Sequence, residues 1–408
     1  MLRPMKFVLA GYGSRGDVEP CLAVGRELLR RGHDVHVAVP PDMLGFVEPL
    51  GLAAVGYGQD TQQQTSAATE LLRRVQNPVV ALAEVAERVT RAWLDKSTTL
   101  TSLADGADLL LAGMNEQALA ANVAEYHDIP LAALHFFPAR IWSSGPMYGP
   151  ITKTAEEAQR RALGLPEATG HVSLEIQAYD ELCLPGQAAE WVERDDRHPF
   201  VGALTLGLPT DLDDEVLSWI AAGTAPIYFG FGSTPIASPQ DLVDMIGAAC
   251  AQLGERALIC AGATDFSSIP PAENVKIVRA VNHAAVLPAC RAVVHHGGAG
   301  TTAAGIRAGI PTLILWHWLD QPMWAAGVEQ LKVGSGQQFS TTTRASLVTA
   351  LRAILTSQYA SRAAEVAAQM STPAESVARA AELLEDAARQ RQTGHTSRRQ
   401  AASKNIHS

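Results

Sequence analysis

The chain has 408 residues, of which 47% are hydrophobic, and its formal net charge is −10 at pH 7. This length and apolar content predict two domains, while the acidic balance excludes a basic face for nucleic acid, so we expect no nucleic-acid partner. The five cysteines are odd in number and never spaced C-x-x-C, which argues against a disulfide framework or a zinc site, and no apolar run reaches the ~20 residues of a membrane span.

Short apolar runs alternate with amphipathic segments through the first half of the chain. The runs read KFVLA (6–10), DVHVAV (34–39), LAAVG (52–56), DLLLAG (108–113) and PLAALHFF (130–137). Strands that alternate with helices predict a parallel, doubly wound sheet. Pro78 lies inside the helical stretch 71–94, where its ring and its missing N–H predict a break or kink.

The same design restarts after a polar, proline-containing stretch, GLPTDLDDE (207–215). Further predicted strands lie in APIYFGFGSTP (225–235), RALICA (256–261), NVKIV (274–278), AVVHH (292–296) and TLILW (312–316). We therefore expect a first domain over 1–206, a linker and first helix over 207–222, and a second domain over 223–385 whose last helix packs back on the first. Residues 386–408 lose all apolar periodicity and are predicted to be disordered.

The first glycine-rich turn, GYGSRGDVEP (11–20), follows the first predicted strand and has the G-x-G-x-x-G spacing of dinucleotide-binding folds. Such a site holds a pyrophosphate on a helix N-terminus, where Asp17 and Glu19 would repel it, and the second strand does not end in the acidic residue that binds the ribose. The turn therefore does not indicate a nicotinamide site. By type and position Asp17 is also a candidate helix N-cap.

The second glycine-rich turn is the better phosphate site. In HHGGAGTT (295–302) a strand ends at His296, small residues follow, and Thr301 and Thr302 open a helix. Small residues allow close approach to a ligand, and the N–H groups and macrodipole of a helix start favour an anion. His296 can add a charge-assisted hydrogen bond. The turn therefore predicts an anion site.

Three segments in this order and spacing resemble the inverting, nucleotide-sugar-dependent glycosyltransferases of the GT-B fold: GSRGDVEP (13–20), HHGGAGTT (295–302) and PTLILWHWLDQPMWA (311–325). The resemblance covers residues 5–385. The closest branch glycosylates bacterial natural products such as glycopeptide and macrolide aglycones, and lipid and sterol glycosyltransferases share its patterns. The resemblance implies two Rossmann-like domains that face each other across a cleft, with the acceptor bound by the first domain and the nucleotide sugar by the second.

The resemblance also implies roles for residues in the matching motifs. The aspartate that closes the G-S-R-G-D element, Asp17, corresponds to the general base, and Ser14 and Arg15 to a loop facing the donor diphosphate. The diphosphate would be held by His296, by a hydroxyl of Ser233, and by the amides of Gly298, Ala299, Gly300 and Thr301.

Two further segments correspond to the rest of the donor site. Asp320 and Gln321 match the acidic residue and glutamine that bind donor sugar hydroxyls. Main-chain groups near Val281 and Asn282 match the loop that receives the base. The chain lacks the near-terminal catalytic histidine and the W-x-x-Q base-stacking pattern of the plant members, which leaves UDP and TDP both open.

The implied reaction needs a base on the acceptor side and positive, amide-rich groups on the leaving-group side. A helix dipole and His296 supply the second need, so we expect no metal and no cofactor beyond the nucleotide sugar, which is a co-substrate. The one D-x-D, Asp211 to Asp213, lies at the start of a predicted helix, where the pattern indicates a helix cap and not a metal site.

The acceptor site is expected in LHFFPARIWSSGPMYGP (134–150). Phe137, Trp142, Met147 and Tyr148 could line a hydrophobic pocket, although core packing explains some of them equally well. These apolar residues predict an apolar, hydroxylated acceptor, such as a natural-product aglycone, a lipid or a sterol. We expect a cytoplasmic protein without a transmembrane segment; the sequence leaves open its oligomeric state and peripheral contact with a membrane.

The sequence therefore predicts an inverting hexosyltransferase that uses a UDP- or TDP-sugar. Two alternatives remain at this point. A sugar-nucleotide epimerase of the same architecture would also bind the diphosphate, but it would usually carry acidic and histidine groups around the anomeric centre. A non-catalytic nucleotide-sugar-binding activator would have degraded site residues, whereas Asp17, His296, Asp320 and Gln321 are all present.

Overall fold

The computed structural model describes residues 3–61, 78–138, 148–167, 172, 174–184, 186, 197–234, 236–262, 264–266, 269–270, 274–318 and 320–405. The chain divides into two compact units. Unit 1 comprises Met1–Ala178, Trp191–Leu204 and Ala374–Ser408, and unit 2 comprises Tyr179–Glu190 and Thr205–Pro373. The chain thus enters unit 2 briefly at Tyr179, before the junction expected from the sequence near residue 206.

The described residues of unit 1 form a six-stranded parallel sheet in the order β3-β2-β1-β4-β5-β6. Its strands are β1 (Lys6–Ala10), β2 (Asp34–Val39), β3 (Ala53–Gly56), β4 (Leu109–Ala112), β5 (Leu131–His135) and β6 (Leu174–Gln177). The first five were predicted from their apolar runs. The sequence missed β6, LEIQ, because polar Glu175 and Gln177 alternate with only two apolar residues.

Before Tyr179, the described residues of unit 1 also form five α-helices: α1 (Arg15–Arg30), α2 (Leu44–Val47), α3 (Pro78–Leu103), α4 (Gln117–Tyr126) and α5 (Tyr148–Leu163). The described part of α3 begins at Pro78, where a break was expected, and residues 62–77 lie outside the described residues.

The described residues of unit 2 form a second six-stranded parallel sheet, in the order β12-β11-β10-β7-β8-β9. Its strands are β7 (Ile227–Gly230), β8 (Ala257–Cys260), β9 (Val275–Val278), β10 (Ala292–His295), β11 (Thr312–Trp316) and β12 (Gly334–Gln338). Five of them match predicted runs. The sixth, β12, has the sequence GSGQQ and was missed, because pairing with β11 and not apolar content makes it a strand.

The described residues of unit 2 also form seven α-helices: α6 (Asp213–Ala221), α7 (Pro239–Leu253), α8 (His283–Val286), α9 (Ala299–Arg307), α10 (Gln321–Gln330), α11 (Arg344–Ile354) and α12 (Ser357–Ala367). Buried side chains cover both faces of the sheet. Phe229 and Val294 belong to one apolar cluster, whereas their strand neighbours Tyr228 and Val293 belong to the other. Burial on both faces is typical of parallel sheets and confirms the predicted doubly wound design.

The last helix, α13 (Pro373–Asn405), runs mostly through the part of the chain assigned to unit 1. Glu385 on this helix binds His33 Nε2 at 3.0 Å and Arg31 at 3.4 Å, beside the C-terminal end of α1. The helix continues through residues 386–405, where the sequence predicts disorder; side chains are described only as far as Gln390. None of the described helices is long and apolar enough to cross a membrane.

Parallel strands place all their carboxyl ends at one edge of the sheet, where α/β proteins bind ligands. In unit 1 this edge carries the turns after β1 and β4. In unit 2 it carries the turns after β7, β10 and β11. The predicted site residues Asp17, Ser233, His296 and Gln321 all lie in or next to these turns.

Candidate functional site

The Asp17 carboxylate is held at the start of α1. Ser14 is the N-cap, and Asp17 is the third residue of the helix, so Asp17 is not itself the N-cap. The Ser14 N–H donates to Asp17 Oδ2 at 2.7 Å, and the Ser14 hydroxyl donates to the same oxygen at 2.9 Å. The first of these contacts is the one that the side chain of the third helical residue makes in a capping box. Ser14, predicted to face the diphosphate, therefore uses both donors on Asp17.

Asn115 is the second partner of Asp17, and sequence reasoning missed it. It lies in the turn Met114–Glu116 that follows β4, next to β1 in the sheet. Its side-chain amide donates to the Tyr12 carbonyl at 2.9 Å and to Asp17 Oδ1 at 3.3 Å. Burial raises the pKa of Asp17, and the bonds from Ser14 and Asn115 oppose this rise. A carboxylate with a raised pKa is the stronger base.

Gly13 is required where it stands, because its φ is +130° and a Cβ there would meet the Asp17 carboxylate. Arg15 was also predicted to face the diphosphate. The structure instead pairs Arg15 with Glu19 at 2.7 Å and lays its guanidinium over the Phe46 ring, 4.7 Å from the centroid. In this arrangement Arg15 is committed to its own helix and to a neighbouring aromatic ring.

The second glycine-rich turn lies in unit 2 between β10 and α9. The helix begins at Ala299 with Gly298 as N-cap, two residues before the predicted start at Thr301. The Thr302 hydroxyl donates to the Gly298 carbonyl at 2.9 Å, within the helix. The first helical N–H bond is also made by Thr302. The N–H groups of Ala299, Gly300 and Thr301 therefore precede the first helical bond and are the donors that a helix start offers to an anion.

The His296 ring is wedged between two glycines. A Cβ on Gly232 would lie 2.7 Å from His296 Cε1, and a Cβ on Gly298 would lie 2.7 Å from His296 Nε2. Burial lowers the pKa of His296 to about 4, although the Gly230 carbonyl opposes this. The ring is therefore neutral at pH 7 without a ligand, and the predicted charge-assisted bond requires proton uptake on anion binding. Ser233 follows Gly232 and is exposed.

His295 shapes this turn from inside the sheet, and the sequence analysis did not single it out. It is fully buried, and its Nδ1 accepts the Gly297 N–H at 3.0 Å. Burial lowers its pKa well below the usual value, so the ring is neutral with its proton on Nε2. Gly297 has a φ of +95°, and a Cβ there would lie 3.0 Å from the Cβ of Gln321.

The predicted sugar-binding pair lies at the start of α10. Gln321 is 6% exposed, and its Oε1 accepts the N–H of His317 at 2.7 Å and that of Trp318 at 3.3 Å. Asp320 Oδ2 accepts the indole N–H of Trp324 at 2.8 Å. Backbone N–H groups thus bind the side-chain oxygen of Gln321, so the group that its side chain would offer a ligand is the NH₂.

Asn282 was predicted to bind the donor base through its main chain, and the structure commits these groups elsewhere. Its N–H donates to Asp213 at 2.8 Å, and its carbonyl accepts from Ala285 and Val286. Its side chain donates to the Gly207 carbonyl and caps α8 through Ala284. Asn282 therefore holds its loop together and is a poor candidate for reading a base. The side chain of neighbouring Val281 is buried in an apolar cluster.

Asp213, the second aspartate of the D-x-D, begins α6. It also accepts the N–H and the hydroxyl of Thr210, at 2.8 and 2.7 Å. Its carboxylate is thus used by the local backbone. Within the described ranges, no group of three or more His, Cys, Asp or Glu side chains is arranged to hold a metal ion.

The predicted acceptor residues are only partly described. Phe137 is 8% exposed and packs edge-on against Phe136, with ring centroids 5.4 Å apart. Trp142 and Met147 lie outside the described residues, and Tyr148 begins α5 with its side chain outside them.

Comparison with known proteins identifies the family. The sequence model of the Glycosyltransferase family 28 N-terminal domain matches residues 7–93, and that of the Erythromycin biosynthesis protein CIII-like C-terminal domain matches residues 243–384. An uncharacterized glycosyltransferase of Mycobacterium tuberculosis is 56% identical over 416 residues, covering 94% of this chain and 99% of the relative. The vancomycin aglycone glucosyltransferase of Amycolatopsis orientalis is 29% identical over 410 residues, covering 94% and 98%.

Solved structures share the fold at lower identity. A calicheamicin glycosyltransferase has a TM-score of 0.69 at 18% identity, covering 95% of this chain and 98% of the other. A glycosyltransferase of Streptomyces sp. SF2575, solved with thymidine diphosphate, has a TM-score of 0.63 at 21% identity, covering 94% and 99%. The family assignment favours transfer over the epimerase and the activator that the sequence leaves open. The chain belongs to the GT-B glycosyltransferases that include the natural-product enzymes, and it is a glycosyltransferase.

Proposed function

We propose that the protein is an inverting hexosyltransferase that moves a sugar from a UDP- or TDP-sugar to a hydroxyl of an apolar small molecule, with Asp17 as general base. The observation that carries this proposal is the Asp17 carboxylate. It is partly buried, its pKa is raised by burial, and Ser14 and Asn115 fix both of its oxygens. An acceptor hydroxyl must lose a proton during transfer, and a positioned carboxylate is a suitable acceptor for it.

The donor side rests on the turn between β10 and α9. Three successive N–H groups at the start of α9, the helix dipole and His296 suit the two phosphates of a nucleoside diphosphate. No acidic residue lies in HHGGAGTTAAGIRAG (295–309). The structural relative solved with thymidine diphosphate supports a donor of this class. The Gln321 amide, packed against Gly297, is the group proposed to contact the sugar.

We further propose that transfer needs no divalent metal and no cofactor. Some enzymes neutralise a leaving diphosphate with a metal ion held by carboxylates. Here oriented amides and a helix N-terminus would stabilise the charge as it develops on the diphosphate. The test is turnover with excess EDTA, and loss of activity that Mg²⁺ restores would contradict the proposal.

Inversion follows from a single displacement. A double displacement would need a carboxylate that attacks the anomeric carbon. Asp17 is proposed as the base, so Asp320 is the candidate for such a nucleophile. Its Oδ2 accepts the Trp324 indole N–H, an arrangement suited to hydrogen bonding rather than to attack on carbon. One direct displacement inverts the anomeric centre. Coupling constants of the product from an α-linked donor should therefore report a β linkage, and an α-linked product would contradict the single displacement.

For the acceptor we propose an apolar hydroxylated molecule, such as a natural-product aglycone, a lipid or a sterol. The relative that glucosylates the vancomycin aglycone supports this class, and Phe137 near the carboxyl end of β5 is an apolar group at the proposed site.

The decisive experiment compares Asp17→Asn with the unmodified protein. Amide for carboxylate keeps the size of the side chain but removes the base, so turnover should fall about 100-fold or more. Donor binding, measured by calorimetry with UDP and TDP, should not change, since Asp17 lies in unit 1 and the proposed diphosphate site in unit 2. Unchanged turnover in Asp17→Asn would reduce Asp17 to a residue that stabilises the start of α1.

A further inference from the structure

In unit 1, hydrogen bonds and an ion pair connect Asp17 to buried charged side chains through the turn that contains Asn115. Asn115, which holds Asp17, is followed directly by Glu116, and Glu116 is 1% exposed. The Glu116 carboxylate accepts the Tyr57 hydroxyl on one oxygen and the Lys96 ammonium, at 2.5 Å, on the other. A nearly inaccessible carboxylate thus anchors the same short turn that presents the Asn115 amide.

The contacts return to Asp17 through Tyr12. The Lys96 ammonium lies over the Tyr12 ring, 4.3 Å from its centroid, and the Tyr12 hydroxyl donates to the Gln59 carbonyl at 2.9 Å. The Tyr12 carbonyl accepts the same Asn115 amide that reaches Asp17. Asn115 is therefore held from both sides, by Glu116 along the chain and by Tyr12 across the sheet.

A stability argument alone does not account for this arrangement. A buried ion pair loses its hydration, and replacing such a pair with neutral groups of similar volume often leaves stability unchanged or improves it. What the contacts do supply is a fixed position for the Glu116 carboxylate, because each of its two oxygens accepts a separate donor, the Tyr57 hydroxyl or the Lys96 ammonium, and charge-assisted hydrogen bonds are the strong ones. The distance from the Asn115 amide to Asp17 Oδ1, 3.3 Å, is long enough that a small shift of the turn would break this bond.

We propose that Lys96, Glu116 and Tyr57 are positioning residues, which hold the turn Met114–Glu116 so that Asn115 keeps the Asp17 carboxylate in its reactive place. The inference rests on the proposed role of Asp17 as general base. It assigns a function in catalysis to side chains that are remote from the glycine motifs in sequence.

The test uses the double variant Lys96→Met, Glu116→Gln, which removes both charges together and so leaves no unpaired buried charge. We expect kcat to fall about 10- to 100-fold, the scale of a small misplacement of a catalytic group, with KM values for donor and acceptor unchanged. The Asn115 bond lowers the pKa of Asp17. Its loss should therefore move the acid limb of the pH–rate profile to higher pH, and Asn115→Ala should produce the same shift.

The other titratable groups near Asp17 stay the same in these variants. Burial raises the pKa of Cys21 to about 12, so its thiol stays neutral over the assay range, and Arg15 and Glu19 neutralise each other on α1. The matched control is Glu125→Gln, which breaks the 2.9 Å ion pair with Arg160 between α4 and α5 of the same unit. The control should leave kcat and the acid limb unchanged.

Combining the double variant with Asp17→Asn decides between a positioning and a merely structural role. If the network acts through Asp17, it should cause no further loss of kcat once the carboxylate is gone. Two results would overturn the inference: a folded double variant with unchanged kcat and acid limb, or an equal fold-loss in the presence and absence of Asp17. The failure of the proposed function is a different outcome, namely unchanged turnover in Asp17→Asn alone.

Discussion

Gly298→Ala should weaken nucleoside diphosphate binding by displacing His296 without straining the backbone. The φ of Gly298 is −65°, which alanine adopts freely. The added Cβ would, however, lie 2.7 Å from His296 Nε2. Ordinary contact begins at 3.4 Å, so the ring must move by about 0.7 Å.

The magnitude follows from the bond that the displaced ring would lose. A hydrogen bond to a charged group contributes about 1.5 to 3 kcal/mol, which corresponds to roughly a 10- to 150-fold rise in Kd. The same loss is expected for His296→Ala. In the double variant Gly298→Ala, His296→Ala the added Cβ has no imidazole ring to displace, so its affinity for the diphosphate should equal that of His296→Ala alone.

Calorimetry with UDP and TDP, and with uridine and thymidine, measures this effect. The nucleosides lack phosphates and should bind all variants alike. Gly247→Ala is the matched control, because it also adds one Cβ to unit 2, where it would meet Val275 at 3.4 Å. Unchanged diphosphate affinity in Gly298→Ala, or an equal loss for nucleoside and diphosphate, would refute the assignment of His296 to the phosphates.

Three further predictions concern charge and the C-terminal helix. Burial raises the pKa of Asp17 above its unfolded value of 3.8, so the ionised group costs stability at neutral pH. The unfolding midpoint of Asp17→Asn, measured relative to that of the unmodified protein, should therefore fall as the pH drops from 7 to below 3.8. Although burial opposes it, the pKa of Glu385 is lowered by its bond to His33. Glu385→Gln should therefore destabilise unit 1 at neutral pH, and progressively less below pH 4.5. Removing residues 391–408 should leave the unfolding midpoint unchanged. Burial lowers the pKa of His296 to about 4, so binding of a diphosphate at pH 7 should take up a proton. The calorimetric binding enthalpy should then vary with the ionisation enthalpy of the buffer. If it does not, a neutral imidazole makes the hydrogen bond.

The alternation of apolar runs and helices was sufficient to predict most of both sheets. Burial on both faces makes a central parallel strand a short, mostly apolar segment, and among the twelve strands of the described residues only β6 and β12 were not predicted from such segments. Edge strands are exempt from this requirement. GSGQQ in β12 and LEIQ in β6 are strands because a neighbour pairs with them, and no local pattern reveals such pairing.

The sequence by itself also determined where the two glycine-rich turns lie, because glycines that permit a tight turn or a close approach mark such turns directly. Gly13, Gly297 and Gly298 each stand where a Cβ would meet a neighbouring side chain. Only the tertiary structure decided what each polar group does there. Arg15 pairs with Glu19 on its own helix, and Asn115 reaches Asp17 from 98 residues away. The physical reason is that a hydrogen-bonding group takes whichever partner the fold brings within about 3 Å, and that choice depends on the packing of elements distant along the chain.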